Sequence, residues 1–310
     1  MSRLNVALAY HAGDLDLAKN LLRWISDQNS GPIPRAIMLF GDGALTKEQR
    51  MEVKELAKTA FQTVKAYPVH VEAAMQKWPT GPNLMFMQAL RVSNESMRDS
   101  FLWLEPDCVT LKPGWLESIE RDYYNQPCRY FGVFSHRGAG EATLPERWMS
   151  GVGVYPSNAF VELAAFCGSE KPFDVVSSDF LVPRLAETQL IAHFWGTKDL
   201  SPTFVHGQPT SPNAMNPAMI PKDAVIFHRC KDGSLMRVLS QPAPPPVAQD
   251  QEDRPTPPET VKQQAAPVAM PPPKIAGINA VPPFSENKFG GGLTRVMKST
   301  SDEKTFIRPE

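Results

Sequence analysis

In the first 240 residues, short runs of apolar residues alternate with segments in which apolar residues recur at helical spacing. This pattern predicts alternating strands and helices. Short apolar runs predict strands at NVALAY (5–10), AIMLF (36–40), 63–69, 100–104 and YFGVFS (130–135). Between them, apolar residues recur at helical spacing and predict helices at LDLAKNLLRWISDQ (15–28), 46–62, 82–93 and 114–125. This order favours an α/β fold, a single domain over 1–240 with a mainly parallel central sheet and helices on both faces.

The pattern changes after residue 240. Residues 241–310 hold 14 of the 31 prolines and few large apolar residues. Such a segment cannot bury enough surface to offset its ordering entropy. We therefore expect a disordered or polyproline II linker at 241–283 that recruits a protein partner. Residues 284–310 regain apolar side chains, which predicts a short docking segment.

Composition and charge narrow the function classes. The formal net charge is -1, which does not favour binding to nucleic acid through bulk electrostatics. None of the 4 cysteines are spaced as C-x-x-C, which disfavours a disulfide scaffold or zinc ribbon and favours reduced thiols. No apolar stretch approaches the ~20 residues of a membrane helix, and the N-terminal run is too short for a signal-peptide core. We therefore expect a cytoplasmic protein without a membrane segment.

Two carboxylates, Glu105 and Asp107, follow the apolar run at 101–104. In parallel sheets, ligand-binding groups collect at the carboxyl ends of strands. Pro106 favours an extended Glu105, and residues i and i+2 of an extended chain point the same way. The pair would repel unless a cation neutralises it, and such oxygens suit Mg²⁺ or Mn²⁺. On the pair alone, a solvated turn with a capping Asp is an equally good interpretation.

The stretch FLWLEPDCVTLKPGW (101–115) resembles a motif of the nucleotide-sugar glycosyltransferases of the GT-A fold. In that family, a D-x-D motif ends the fourth strand, binds the metal and touches the ribose and diphosphate of the donor. The resemblance implies a GT-A-like domain over 1–240, Asp107 as a metal ligand and Glu105 as a donor contact, where the family has Asp. It also implies Mn²⁺ or Mg²⁺ as cofactor and a nucleotide-sugar donor.

Two further segments resemble the same family. ERWMSGVGVYPSNAFVELAAF (146–166) is similar to its small-residue turn under the donor sugar, where Gly151 would let the backbone approach a ligand. A plain turn before a strand is the alternative. AVIFHRCKDGSL (224–235) resembles the segment whose histidine completes the metal site, which implies His228 as a ligand, with Arg229 and Lys231 near the diphosphate.

The catalytic base is expected in FDVVSSDFLVPRLAE (173–187), which resembles the acidic segment of inverting members. The resemblance implies Asp179, with Asp174 as competitor, because an inverting transfer needs a carboxylate to accept the proton of the attacking hydroxyl. Asp179 also fits a helix cap.

The resemblance also implies donor contacts in three other places. These candidates are Tyr10 and His11 after the first strand, Asp42 after the second, and Asn83 at a helix start. Each has a capping or turn interpretation of its own, as has Asp14, which can cap the first helix.

The leading hypothesis is a metal-dependent glycosyltransferase, a hexosyl- or pentosyltransferase acting on a hydroxyl acceptor. The layout is also similar to small glycosyltransferases encoded by bacteriophages, some of which modify hydroxylated DNA bases, so DNA and glycans are both candidate acceptors. A nucleotidyltransferase is disfavoured because the loop YHAGDLD (10–16) lacks Arg and Lys. A nucleotide-binding adaptor with a Pro-rich tail is the non-enzymatic alternative.

Overall fold

The computed structural model of the chain describes residues 3–138, 143–194, 201–209, 211 and 213–242. Of the Pro-rich linker predicted at 241–283, only residues 241–242 are described, and the predicted docking segment 284–310 lies outside the described residues. None of the described helices combines the length and apolar character that crossing a membrane requires.

The elements alternate as the hydrophobic pattern predicts. The strands are β1 (Asn5–Tyr10), β2 (Ile33–Asp42), β3 (Phe61–Val69), β4 (Phe101–Leu104), β5 (Val109–Thr110), β6 (Tyr130–His136), β7 (Arg147–Tyr155), β8 (Leu185–Glu187), β9 (Ile191–His193), β10 (Thr203–Phe204), β11 (Ala214–Met215) and β12 (Ile226–His228). The helices are α1 (Leu15–Asp27), α2 (Lys47–Ala60), α3 (Thr80–Val92), α4 (Trp115–Tyr124), α5 (Ala159–Cys167), α6 (Phe173–Val176), α7 (Ser178–Leu181) and α8 (Ser234–Leu239). Each element predicted up to residue 136 is present and ends within three residues of its predicted bounds.

The main sheet has the strand order β3-β2-β1-β4-β7-β6-β8. Its first four strands are parallel, with Val6 of β1 opposite both Ile37 of β2 and Leu102 of β4. Strand β7 runs antiparallel to both of its neighbours, whereas β6 and β8 pair in parallel. The predicted α/β fold with a mainly parallel central sheet is therefore confirmed.

Helices cover both faces of this sheet because side chains alternate along each strand. In β1, Val6 and Leu8 belong to the core that includes α1 and α2, whereas Ala7 and Ala9 belong to the core that includes α3 and α5. A sheet buried on both faces exposes its strand ends, and the loops at those ends are where polar side chains remain available for binding.

A smaller sheet, with the order β5-β12-β9, lies beside the carboxyl end of β4. Strand β12 pairs with β5 in antiparallel and with β9 in parallel orientation. Strand β5 begins two residues after Asp107, while β9 ends with His193 and β12 with His228. The N–H of Cys230 donates to the carbonyl of Asp107 at 2.9 Å. This pairing brings residues distant in sequence to the turn that follows β4.

The interpretation of residues 146–166 as a small-residue turn is wrong for their first half. Residues Arg147–Tyr155 form β7, an interior strand between β4 and β6, and only the helix that follows agrees with the prediction. Small residues are needed here for packing within the sheet: a Cβ on Gly153 would lie 2.8 Å from the carbonyl of Phe131 and 2.3 Å from the side chain of Met149.

Candidate active site

A tight turn carries the two carboxylates that follow β4. The N–H of Cys108 donates to the carbonyl of Glu105 at 3.0 Å, so residues 105–108 form a turn with Pro106 at its second position. The chain therefore turns at Pro106 and Asp107, and the i, i+2 argument for an extended chain does not apply. The two carboxylates nevertheless face one site, as expected, because both lie beside one imidazole.

That imidazole belongs to His228, the last residue of β12. Its Nε2 is 3.1 Å from Oε2 of Glu105 and 3.4 Å from Oδ1 of Asp107. The side chain is almost completely buried. The structure thus brings together three side chains, Glu105, Asp107 and His228, whose sequence positions span more than one hundred residues.

Oδ1 of Asp107 has the surroundings of a cation ligand. It is buried and lies 3.4 Å from Nε2 of His228 as an ion pair, without a well-formed hydrogen bond among the described residues. A buried carboxylate oxygen without a partner is costly. Carboxylate oxygens and an imidazole nitrogen form a donor set that fits Mn²⁺ or Mg²⁺, so the residues present fit such an ion.

The charges of these three side chains are coupled. Burial lowers the pKa of His228, but the two carboxylates outweigh burial and raise that pKa to about 10. Burial raises the pKa of Asp107, but the positive charge of His228 outweighs it and leaves the pKa below its usual value. Without a cation, the His228 imidazolium therefore neutralises the carboxylates. A cation that binds to Nε2 must displace its proton.

The segment after β12 adds positive charge beside Asp107. Arg229 has a φ of 81°, a left-handed conformation that is strained for a residue with a Cβ. The hydroxyl of Ser201 holds this turn, since it donates to the carbonyl of Arg229 at 2.8 Å and accepts from the N–H of Lys231 at 2.9 Å. After His228, the charges of Lys231 and Arg229 also lower the pKa of Asp107.

Gly151 of β7 lies against the side chain of Glu105. A Cβ at Gly151 would be 2.7 Å from Oε1 of Glu105. The hydroxyl of Tyr155 donates to the carbonyl of Gly151 at 2.8 Å and fixes this part of the strand. The glycine therefore makes room for the Glu105 carboxylate.

The two candidate bases have different surroundings. Burial, followed by the charge of Glu105, raises the pKa of Asp174 to about 7, which places Asp174 in the electrostatic neighbourhood of the carboxylate pair. Its Oδ1 accepts the N–H of Val175 at 2.9 Å. Asp179, in α7, is exposed, and α7 has no side-chain cap.

The loop after β1 lies beside the same carboxylates. The N–H of His11 donates to Oδ1 of Asp14 at 2.7 Å, and Nδ1 of His11 accepts the N–H of Gly13 at 2.9 Å. Asp14 occupies the N-cap position of α1 as expected, but its side chain makes no capping hydrogen bond to the helix. Burial raises the pKa of Asp14, and the charges of Asp107 and Glu105 act in the same direction.

Tyr10 and Asp42 lie at the ends of β1 and β2, where each has a local structural role. The hydroxyl of Tyr10 would be 2.9 Å from a Cβ at Gly41, and the ring lines a cavity with Arg50 of α2. Burial raises the pKa of Tyr10 to about 12, against the opposing charge of Arg50. Oδ1 of Asp42 accepts the N–H of Ala44 at 3.0 Å and closes a turn.

The expectation that Asn83 contacts the donor is not supported by its surroundings. Its side-chain amide donates to the carbonyls of Ser169 at 3.1 Å and Lys171 at 2.9 Å and accepts the N–H of Phe173 at 3.0 Å. These three bonds use the buried amide to hold the segment that leads into α6. Asn83 therefore supports the position of Asp174.

The sequence analysis missed His193. Its Nδ1 lies 2.9 Å from Nδ1 of His228 and 3.3 Å from the hydroxyl of Ser150. Burial, followed by the charges of His228 and Arg229, lowers the pKa of His193 to about 2, so the ring is neutral. The sequence contains a signal that could have indicated His193: LIAHF (190–194) and VIFHR (225–229) are two short segments in which an apolar run is followed by histidine.

Cys108 is a second residue that was missed. Ligand atoms of Asp107, Cys108 and His228 all lie within 4.8 Å of one another. This set would suit Zn²⁺ as a thiolate site. However, burial raises the pKa of Cys108 well above its usual value, and the charges of Asp107 and Glu105 raise it further. Like the His228 imidazolium, this thiol must lose its proton before it can bind an ion. The carboxylate oxygens are the donors that Mn²⁺ and Mg²⁺ prefer.

Comparison with solved structures finds glycosyltransferases. The chain is similar to the glycosyltransferase GlyE of Streptococcus pneumoniae TIGR4, with 11% identity, 61% of this chain covered and a TM-score of 0.42. It is similar to the galactosyltransferase LgtC, with 9% identity, 73% of this chain and 87% of that chain covered and a TM-score of 0.44. The bifunctional glycosyltransferase WbbM gives 13% identity, 73% coverage of this chain and a TM-score of 0.44.

The extent of these similarities is limited. The chain covers only 47% of the GlyE chain and 45% of the WbbM chain. No protein-family model matches the sequence, and no curated protein matches it. The proposed function therefore rests on the geometry of the site.

Proposed function

We propose that the protein is a metal-dependent glycosyltransferase that moves a sugar from a nucleotide-sugar donor to a hydroxyl acceptor. The observation that carries this proposal is the convergence of Glu105, Asp107 and His228 at the carboxyl end of β4, with Oδ1 of Asp107 buried and lacking a hydrogen bond. In α/β sheets, this edge is where nucleotide ligands bind.

Asp107 and His228 would hold the metal ion, and Mn²⁺ or Mg²⁺ fits them better than a thiolate metal does. When bound, such an ion supplies positive charge for the departing diphosphate. Glu105 contributes negative charge that attracts the ion and is the proposed contact to the donor ribose. Lys231 and Arg229 add fixed positive charge beside Asp107, which favours the diphosphate on that side.

Asp174 is the proposed base, in place of Asp179. A general base works best when its pKa lies near the operating pH, and burial with the charge of Glu105 raises the pKa of Asp174 to about 7. Asn83 holds the segment before it through three backbone hydrogen bonds. Asp174 would accept the proton of the acceptor hydroxyl as that oxygen attacks the anomeric carbon.

The acceptor is a hydroxyl compound, with glycans and hydroxylated DNA bases as the two classes to be tested. The Pro-rich linker is proposed to bind a protein partner. Both proposals come from the sequence, since the described residues contain no segment that addresses them.

The experiment is a panel of sugar nucleotides mixed with the full chain and Mn²⁺, with hydrolysis of each donor measured, followed by acceptors for the best donor. Metal-dependent hydrolysis or transfer that chelation abolishes supports the proposal. Pyrophosphate exchange without sugar transfer would instead indicate a nucleotidyltransferase. Absence of both reactions, with nucleotide still bound, would indicate a non-catalytic adaptor.

A further inference from the structure

Two histidines face each other at the ends of neighbouring strands. His193 ends β9 and His228 ends β12, and the parallel register of the small sheet pairs these two residues directly. Their Nδ1 atoms are 2.9 Å apart, with the rings inclined at 66°. Two imidazole nitrogens at this distance share a hydrogen bond, so one nitrogen carries a proton and the other presents a lone pair.

The direction of that hydrogen bond follows from the other side of the His228 ring. Its Nε2 faces Glu105 and Asp107, at 3.1 and 3.4 Å. An imidazole that binds a metal through Nε2 must have a lone pair there, and the neutral ring then carries its proton on Nδ1. With a metal on Nε2, Nδ1 of His228 donates and Nδ1 of His193 accepts.

We propose that His193 is a positioning residue that holds His228 in the tautomer with the proton on Nδ1 and so directs the Nε2 lone pair at the metal. This inference rests on the metal site of the proposed function and goes beyond it by assigning a residue that does not touch metal or donor. Metal-binding histidines generally donate their second N–H to an acceptor that fixes the orientation of the ring.

The surroundings of His193 support this role. The hydroxyl of Ser150, a buried residue of β7, lies 3.3 Å from Nδ1 of His193. The lone pair of His193 Nδ1 goes to the shorter contact with His228, so the Ser150 hydroxyl packs beside this nitrogen without a second hydrogen bond, while β9 restrains the backbone of His193. The ring of His193 is held from two directions with its acceptor nitrogen aimed at His228.

The test compares Mn²⁺ affinity in the full-length wild type, His193→Phe and His193→Asn by calorimetric titration. Phenylalanine keeps a ring but has no acceptor, whereas the side-chain oxygen of asparagine can occupy the position of Nδ1. We expect His193→Phe to weaken Mn²⁺ binding about 10- to 100-fold and His193→Asn to remain close to the wild type. Equal affinity of wild type and His193→Phe, or equal weakening in both variants, would overturn the inference.

A second measurement needs no variant. In the wild-type protein loaded with Mg²⁺, which is diamagnetic, ¹⁵N NMR reports which nitrogen of His228 is protonated. We expect the proton on Nδ1, and a proton on Nε2 would overturn the inference even if His193→Phe fails to fold. Failure of the proposed function is distinct from either result: it would appear as a wild type that binds Mn²⁺ through His228 but hydrolyses no sugar nucleotide.

Discussion

Gly151 and Glu105 are packed so closely that the glycine has no room for a side chain: a Cβ would lie 2.7 Å from Oε1 of the carboxylate. The atom in the way is the end of a flexible side chain, so Gly151→Ala should fold and displace Glu105. Because Glu105 is the proposed donor contact, we expect the KM for the sugar nucleotide to rise about tenfold with a smaller change in kcat.

Gly31→Ala is the matched control for that substitution. A Cβ at Gly31 meets nothing within 4 Å, and its backbone is not in the left-handed region. Steady-state kinetics give the KM for the sugar nucleotide in both variants. A KM in Gly151→Ala that equals that of Gly31→Ala would show that Glu105 does not contact the donor.

Asp174→Asn and Asp179→Asn separate the two candidate bases. Both substitutions keep side-chain size and remove the basic oxygen. If Asp174 accepts the acceptor proton, Asp174→Asn should lower turnover roughly 10²-fold or more, with donor affinity nearly unchanged. Asp179 is exposed, and its variant should remain near the wild type. The reverse pattern in single-turnover rates would return the role of base to Asp179.

Asp174 should also make stability depend on pH. Burial and the charge of Glu105 raise its pKa from 3.8 to about 7, so the folded protein keeps a proton that the unfolded chain has released. The contribution of Asp174 to stability is therefore complete below about pH 4 and is lost as the pH rises to about 7. Asparagine does not ionise, so Asp174→Asn should raise the melting temperature relative to the wild type at about pH 8 more than at about pH 4.

Thermal unfolding of the metal-free protein at the two pH values checks this expectation. Asp179→Asn is again the control, because it makes the same substitution at an exposed position. A parallel shift of Asp174→Asn and wild type at both pH values would mean that Asp174 ionises normally.

The strands and helices before residue 137 could be predicted because each carries its own hydrophobic period. Strand β7 could not, because its WMSGVGVY run contains glycines that usually indicate turns, and only its two neighbours explain them. The convergence of Glu105, Asp107 and His228 was predictable from the family motifs. The turn that causes it depends on the hydrogen bond from Cys108 to Glu105, which no periodicity reveals.

The pairing of residues across the small sheet could not be predicted from the sequence. His193 faces His228 only because β9 pairs with β12, and β9 is three residues long, too short to stand out as a strand. The surroundings of Asn83 could not be predicted from the sequence either. Its position at a helix start suggested a donor contact, whereas the fold buries its amide against backbone groups more than eighty residues away.

Substitution of Cys108 tests which metal ion the site binds. Its thiol lies within ligand range of Asp107 and His228, but its pKa is raised by burial and by the nearby carboxylates. If the ion is Mn²⁺ or Mg²⁺, Cys108→Ala should leave Mn²⁺ affinity and the choice of metal unchanged. If the site instead holds Zn²⁺ through the thiolate, the Zn²⁺ affinity of the variant should fall at least tenfold more than its Mn²⁺ affinity. A competition titration with both ions measures the two affinities.

The most direct test of the proposed metal site is Mn²⁺ binding to Asp107→Asn, measured together with Mn²⁺-dependent hydrolysis of a sugar nucleotide. Asparagine matches aspartate in size but lacks the charge, and Asp16→Asn, on the exposed face of α1, is the control. We expect the wild type and the control to bind Mn²⁺ and hydrolyse the donor, while Asp107→Asn remains folded and loses about 100-fold or more in both. Wild-type affinity and wild-type hydrolysis in a folded Asp107→Asn would contradict the assignment of this site.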